Sequence, residues 1–202
     1  MAGLTRIAVL LSGRGSNLVV LADACARGEV PAEIALVVSN RPDAPGLERA
    51  RERGITAIAI SGKGLARDEH ERRVAEAIAG ARAQWVCLAG YMRLLSPAFV
   101  ARFAPRIVNI HPALLPSFPG LDAQRQAWAY GVKLSGCTVH LVDAGCDSGP
   151  VVLQRAVAVH DDDTPETLAA RILEQEHIAY PTAMRMLLSR AWRLDGRRVL
   201  FE

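Results

Sequence analysis

The sequence predicts an α/β fold with a mostly parallel central sheet, helices on both of its faces and a small C-terminal hairpin. Short apolar runs alternate with amphipathic stretches from the first residues onward. This alternation is typical of buried parallel strands covered by helices. Half of the 202 residues are apolar and 22% are charged, so one domain over residues 1–202 has enough apolar residues for a full core. We therefore expect a Rossmann-like single domain.

The first half of the chain is the more regular part. Continuous apolar runs such as TRIAVLL predict strands, and a turn at Arg41-Pro42-Asp43 separates the second strand from its helix. Gly54 is expected to end that helix. In chain order the expected elements are strand 5–11, helix 16–27, strand 33–39, helix 45–53, strand 55–60, helix 67–79 and strand 84–90.

The second half of the chain contains longer loops and one long helix with a clear capping pattern at its start. Thr164 supplies a capping hydroxyl, and Pro165 and Glu166 suit the first turn of a long helix. The tail WRLDGRRVLF predicts a hairpin that turns at Asp195-Gly196. The expected elements are helix 97–103, strand 106–110, helix 122–130, strand 135–142, strand 151–158, helix 164–189 and the hairpin.

Charge and cysteine content exclude several classes of protein. The formal net charge is +3 with interspersed signs, so we expect neither a nucleic-acid partner nor a membrane surface. The first apolar run stops at Ser12, too early for a bilayer span or a secretion signal, and a cytoplasmic protein is expected. Four scattered cysteines lack metal-ligand spacing, so we predict small buried thiols and no metal. They are Cys25, Cys87, Cys137 and Cys146.

A glycine-containing turn, Ser12 to Asn17, lies between the first strand and its helix. Gly13 and Gly15 allow a tight turn, and the first N–H groups of a helix bind anions. Ser16 and Asn17 add donors. The segment is neither a Walker A loop nor a full GxGxxG, so a simple capped turn is an equal alternative.

The segment NIHPALLP follows the fifth strand. Asn109 and His111 are two residues apart on an extended backbone, so their side chains are expected on the same side. The carboxyl ends of parallel strands line the binding crevice of such sheets. An amide beside an imidazole suits stabilisation of an oxyanion and proton transfer.

A third candidate is Asp147, in the loop DAGCDSGP between the sixth and seventh strands. An aspartate in such a turn often has only a local role. If the loop folds over the same crevice, Asp147 would orient His111 or accept a proton. His140, on the sixth strand, fits a core position equally well.

These segments resemble the 10-formyltetrahydrofolate-dependent formyltransferases, and among them the phosphoribosylglycinamide formyltransferase family. The resemblance covers the chain nearly end to end. It rests on SGRGSNL, LAGYMRLLSP, NIHPALLPSFPG, TVHLVDAGCDSGPV and EQEHIAYP, which occur in the family's order and spacing.

The resemblance implies transfer of the formyl group of 10-formyltetrahydrofolate to the amine of glycinamide ribonucleotide, in purine synthesis. It implies small-molecule substrates, no metal and a possible homodimer. The implied catalytic residues are Asn109, His111 and Asp147. The implied substrate-binding residues are Gly15, Ser16 and Asn17 at the phosphate and Glu176 at the ribose. The implied folate-binding residues are Met92, Arg93, Leu94 and Leu95, with Arg93 and Arg67 at the glutamate tail.

The chain departs from the family pattern at three places. Ala113 stands where serine is common, and Arg14 replaces a smaller polar residue. Leu121 to Gln124 stand where histidines are often found. These departures put in doubt any role of those histidines in ordering the loop, but they remove no proposed catalytic group.

The implied mechanism is direct attack of a neutral amine on the formyl carbon. Asn109 and a protonated His111 would stabilise the oxyanion, and Asp147 would raise the pKa of His111 and accept the amine proton. Four alternatives remain open at this point. They are another formyltransferase, a formyl-folate hydrolase, an enzyme using formate and ATP, and a non-catalytic nucleotide-binding module. The first two usually carry a further domain that these residues are not expected to contain, and no ATP-binding loop is visible.

Overall fold

The computed structural model describes residues 3–202, and the described chain forms two compact units. The first unit ends at Val108 and the second begins at Asn109. The predicted α/β class with a mostly parallel sheet is confirmed, as is the C-terminal hairpin. The prediction of one domain stays a prediction. None of the helices within residues 3–202 is both long and apolar enough to cross a membrane.

The first unit is a sheet of parallel strands with helical connections. Its elements are β1 (Thr5–Leu11), α1 (Ser16–Ala26), β2 (Ala32–Ser39), α2 (Pro45–Arg51), β3 (Ala57–Ala59), α3 (Arg67–Gly80), β4 (Trp85–Leu88) and α4 (Pro97–Phe103). The strand order is β3-β2-β1-β4, and the pairs β1–β2, β1–β4 and β2–β3 are all parallel. Residues 7–11 of β1 are fully buried, as expected for a central strand that is covered on both faces.

The second unit begins within β5 (Ile107–His111) and contains one long helix. Its other elements are α5 (Ala123–Tyr130), β6 (Leu134–Leu141), β7 (Val151–Ala158), α6 (Pro165–Ser189), β8 (Trp192–Asp195) and β9 (Arg198–Phe201). The strand order is β5-β6-β7-β9-β8, in which β6–β7 and β8–β9 are antiparallel and β7–β9 is parallel.

Two local predictions show how the sequence directs the fold. The hydroxyl of Thr164 accepts a hydrogen bond from the Thr167 N–H, and the Thr167 hydroxyl accepts one from the Thr164 N–H, so α6 begins where the capping pattern predicts. The third strand is shorter than predicted. Only Ala57–Ala59 have partners in the register with β2, and the neighbours Thr56 and Ile60 each make one backbone hydrogen bond to β2.

Two of the four cysteines fit the predicted buried thiols. Cys87 and Cys137 are buried and Cys25 is half-buried. The prediction is wrong for Cys146, which is exposed. It lies in the loop before β7, where its Sγ is 3.7 Å from the carboxylate of Asp147. A turn residue without strand neighbours has nothing to bury it.

Candidate active site

The carboxylate of Asp147 lies against both polar side chains at the end of β5. Asn109 Nδ2 donates to Asp147 Oδ1 over 3.2 Å, and His111 Nδ1 is 3.3 Å from Asp147 Oδ2. The Gly120 N–H donates to the same Oδ2 over 2.8 Å. The side chains of His111 and Asp147 are 5% and 15% exposed. The structure thus brings the three predicted side chains together around one partly buried carboxylate.

Asp147 is strongly held as an anion. Burial by itself would raise its pKa, but the nearby rings of His140 and His111 and the hydrogen bond from the Gly120 N–H outweigh burial and lower the pKa to about 2. Its backbone also lies in the left-handed region, with φ of +49°. Such a conformation is uncommon for a residue other than glycine and is frequent at functional sites.

Opposing effects set the pKa of His111. Burial lowers this pKa, while Asp147 and the carbonyl of Phe118 raise it, and burial has the larger effect, so the pKa lies below its ordinary value. Asp147 therefore acts on this pKa in the predicted direction but is outweighed by burial, and the protonated His111 of the predicted mechanism stays a prediction. His111 Nε2 donates to the Phe118 carbonyl over 2.8 Å. In the neutral ring the unprotonated Nδ1 therefore faces Asp147, so negative charge that develops nearby would favour protonation.

His140 belongs to the same group of side chains, although the sequence left its role open. Its Nδ1 donates to the Leu141 carbonyl over 2.9 Å. Its Nε2 then accepts from Asn109 Nδ2 over 3.1 Å and lies 3.6 Å from Asp147 Oδ1. In the sequence, the only indication of contact with Asn109 and Asp147 was that His140 lies on the strand that leads into the Asp147 loop. That position by itself does not distinguish such a contact from packing in the core.

Both amide hydrogens of Asn109 have acceptors in this arrangement. One is directed at Asp147 and the other at His140. These two acceptors define the orientation of the amide, since only the nitrogen end can donate to both. An oxyanion can receive a hydrogen bond from Asn109 only by replacing one of these acceptors.

A buried threonine anchors the loop that follows His111. Thr138 Oγ1 donates to the Ala113 carbonyl over 2.7 Å and accepts from the Leu115 N–H over 3.0 Å. The side-chain amide of Gln154 donates to the Leu115 carbonyl over 2.9 Å and to Thr138 Oγ1 over 3.0 Å. The loop that supplies the Phe118 and Gly120 contacts is therefore fixed at its start.

Glu176 is buried on α6 in the same unit. The pKa of Cys137 is raised to about 12, first by burial and then by the negative charge of Glu176. This electrostatic effect places Glu176 near β6. The proposed contact of Glu176 with the ribose stays a prediction.

The predicted anion loop has the backbone of a helix-start site. Gly15 is the N-cap of α1 with φ of +76° and, as a glycine, supplies no side-chain cap, which is compatible with an anion at the start of the helix. Asn17 is buried and Ser16 is half-buried. The Gly46 N–H donates to the Gly13 carbonyl over 3.0 Å, which holds α2 against the loop.

Gly15→Ala is expected to disturb this loop strongly. An added Cβ would lie 2.8 Å from the Gly46 Cα and would occupy a left-handed backbone position, which costs about 1–2 kcal/mol before any clash. We expect a lower melting temperature and a raised KM for the phosphate-bearing substrate, measured by thermal unfolding and steady-state kinetics. Gly13→Ala is the matched control, because its Cβ would meet no atom within 4 Å. Equal effects of the two substitutions would contradict the expectation.

The predicted folate segment is exposed at two of its four residues. Met92 and Leu94 are 62% and 59% exposed, whereas the side chain of Leu95 is buried. Ser12 fixes the start of the segment, since its N–H donates to the Gly90 carbonyl and its Oγ accepts from the Met92 N–H over 2.8 Å.

One of the two predicted arginines is bonded to this segment and the other belongs to it. Arg67 Nη2 donates to the Leu94 carbonyl over 2.6 Å. A Cβ on Gly62 would come within 2.5 Å of Arg93 Nη1, so the guanidinium of Arg93 packs directly on the backbone of Gly62.

Comparison with known families identifies the class of protein. The family model described as "Formyl transferase" matches residues 5–184, so the chain belongs to the formyl transferase family. The family-level resemblance of its motifs is therefore confirmed.

Among curated relatives, the Escherichia coli phosphoribosylglycinamide formyltransferase is 42% identical over 197 residues, which are 97% of this chain and 90% of that protein. The Haemophilus influenzae protein of the same name is 39% identical and covers 95% of this chain and 88% of its own length. The trifunctional purine biosynthetic protein adenosine-3 of Drosophila melanogaster is 46% identical. The chain spans 14% of that longer protein.

Solved structures support the same family. Glycinamide ribonucleotide transformylase 1 from Symbiobacterium toebii has a TM-score of 0.97 and 46% identity, and the match covers 100% of this chain and 95% of that one. A formyltetrahydrofolate deformylase from Pseudomonas syringae has a TM-score of 0.91 at 26% identity and covers 99% of this chain and 66% of its own. The second similarity makes hydrolysis the main alternative to transfer.

Proposed function

We propose that the protein transfers the formyl group of 10-formyltetrahydrofolate to the primary amine of glycinamide ribonucleotide. The observation that carries this proposal is the Asp147 carboxylate held between Asn109 and His111 at the end of β5. Relatives named for this reaction match nearly the whole chain at about 40% identity. The cytoplasm as its location and a homodimer as its assembly stay predictions.

In the proposed reaction the amine attacks the formyl carbon with its lone pair. A bond forms between the amine nitrogen and the carbon, and the carbonyl electrons move to oxygen. The tetrahedral intermediate then collapses, the bond from carbon to N10 breaks and N10 takes a proton. The products are formylglycinamide ribonucleotide and tetrahydrofolate, so atoms and electrons balance without a metal or a nucleoside triphosphate.

The three side chains take distinct parts in this proposal. Asn109 gives a hydrogen bond to the developing oxyanion when it releases one of its two acceptors. His111 is neutral at rest because burial lowers its pKa. Asp147, which its pKa of about 2 keeps ionised, passes the amine proton to His111, directly or through water, and stabilises the resulting imidazolium. The imidazolium then gives that proton to N10 as the bond from carbon to N10 breaks.

Binding of the two substrates is assigned to the remaining predicted residues. Gly15, Ser16 and Asn17 would hold the phosphate at the start of α1, whose N-cap is a glycine, and Glu176 would accept hydrogen bonds from the ribose hydroxyls. Met92, Arg93, Leu94 and the backbone of Leu95 would hold the folate, with Arg93 and Arg67 at its carboxylates. Positioning of this kind supplies much of the rate when two reactants must meet.

The deciding experiment is incubation with 10-formyltetrahydrofolate, with and without glycinamide ribonucleotide, followed by mass spectrometry. Transfer predicts formylglycinamide ribonucleotide and little free formate when the amine is absent. Formate release that does not depend on the amine would establish the hydrolase instead. Absence of both products would leave a binding module and would refute the proposal.

A further inference from the structure

A buried carboxylate in the first unit has no part in the proposed chemistry. Glu71 lies one turn into α3 and is buried. It accepts hydrogen bonds from the Ser96 N–H over 2.9 Å, from the Ser96 hydroxyl, and from Arg67 Nε over 3.2 Å. Buried carboxylates are rare unless they are paired. The three hydrogen bonds pair the carboxylate of Glu71, and they also restrain Ser96 and Arg67.

The same arrangement fixes the guanidinium of Arg67. Nε is bound to Glu71 and Nη2 to the Leu94 carbonyl, so two of its three nitrogens are held within the protein. None of residues 3–202 accepts a hydrogen bond from Nη1. The Arg67 side chain is 43% exposed. A planar cation with a fixed orientation and a remaining donor is suited to bind a carboxylate.

We infer that Glu71 is a positioning residue for the formyl donor, which holds Arg67 in the orientation that binds the carboxylates of the donor's glutamate tail. The inference rests on the proposed function, because it takes formyl-folate as the ligand beside residues 92–95. Fixing a flexible side chain before binding raises affinity without a new contact, since less freedom is lost when the ligand arrives.

Other glutamates of α3 differ from Glu71 in their surroundings. Glu69 pairs with Arg72 and Arg73, and Glu76 pairs with Arg72, in each case at the protein surface. Surface pairs contribute little. Glu71 differs from them because it binds the backbone N–H of Ser96, the residue that directly follows the folate segment, as well as an arginine. The helix therefore supplies a matched control for loss of the same charge.

The test compares Glu71→Gln with Glu76→Gln by equilibrium binding of 10-formyltetrahydrofolate and by steady-state kinetics. We expect Glu71→Gln to raise the Kd and KM for the donor about tenfold, the effect of one lost charge-assisted hydrogen bond. The kcat at saturation and the KM for glycinamide ribonucleotide should stay within about twofold. Glu76→Gln should change none of these quantities. Equal donor affinity in the two variants would overturn the inference.

A truncated donor separates the Arg67 route from a general effect on the loop. With 10-formyltetrahydropteroate, which lacks the glutamate, Glu71→Gln and the wild type should have the same donor affinity. In an Arg67→Ala background, Glu71→Gln should add little further loss. A penalty that persists with the truncated donor, or that adds fully to Arg67→Ala, would show that Glu71 acts through the backbone and would overturn the inference.

Three further outcomes are distinguishable. If Glu71→Gln fails to fold, Glu71→Asp keeps the charge but is one methylene too short to reach both partners, and it should weaken binding of the full donor only. If the wild type binds the donor without transferring the formyl group, the proposed function fails while the Kd comparison still decides the role of Glu71. If the wild type does not bind the donor, both fail.

Discussion

Asp147→Asn is expected to lower kcat by about 10²–10⁴-fold, within the range for loss of an orienting carboxylate or an oxyanion contact. The new amide keeps an acceptor for the Gly120 N–H, but its nitrogen would face the donating nitrogen of Asn109. The change also removes the charge that raises the pKa of His111 against burial. The midpoint of the His111 titration, followed by NMR, should therefore move to lower pH.

The matched control for this change is Asp143→Asn. Asp143 lies in the same loop, where it accepts from the Gly145 N–H and the Ser148 hydroxyl. The substitution removes the same charge at a residue that does not touch a histidine, so kcat should remain within about threefold of the wild-type value. A near-normal kcat for Asp147→Asn, or an unchanged His111 midpoint, would remove Asp147 from the proposed mechanism.

Asn109→Ala is expected to lower kcat by about 10²–10³-fold, which corresponds to about 2.7–4 kcal/mol of barrier for one oxyanion donor. The substitution also leaves His140 Nε2 and Asp147 Oδ1 without their shared donor. Because the hydrogen bond to substrate forms as the oxyanion develops, kcat and kcat/KM should fall together while both KM values change little.

The control for the loss of an amide is Gln84→Ala. Gln84 accepts a hydrogen bond from the Arg6 N–H at an exposed position, so its removal should leave kcat unchanged. Thermal unfolding of both variants separates a catalytic defect from a folding defect. A rise in KM for either substrate with normal kcat would show that Asn109 binds the ground state instead of the oxyanion.

The elements of the fold follow closely from local sequence. The apolar run at residues 5–11 and the capping residues before α6 are signals that depend on neighbours along the chain, so periodicity and helix-start chemistry locate them. The third strand was predicted too long because the number of paired residues depends on what lies beside a strand. The sequence of the strand itself does not say which strands lie beside it.

The pairing of Asn109 with His111 followed from their spacing on one strand, which the extended backbone turns into a common side. Their approach to Asp147 required the loop before β7 to fold back on β5, and sequence left that approach conditional. His140 was ambiguous for the same reason. A strand histidine has the same sequence signature whether its partners are apolar side chains or the amide of Asn109.

By itself, the sequence of this protein determined its α/β class, its family and the residue types available for formyl transfer, because these depend on periodicity and motif order. Tertiary structure decided that burial outweighs Asp147 in setting the pKa of His111 and that Asn109 has acceptors for both of its amide hydrogens. It also decided that Glu71 holds Arg67. Each depends on desolvation or on contacts between residues distant in the chain, and neither quantity is defined until the chain has folded.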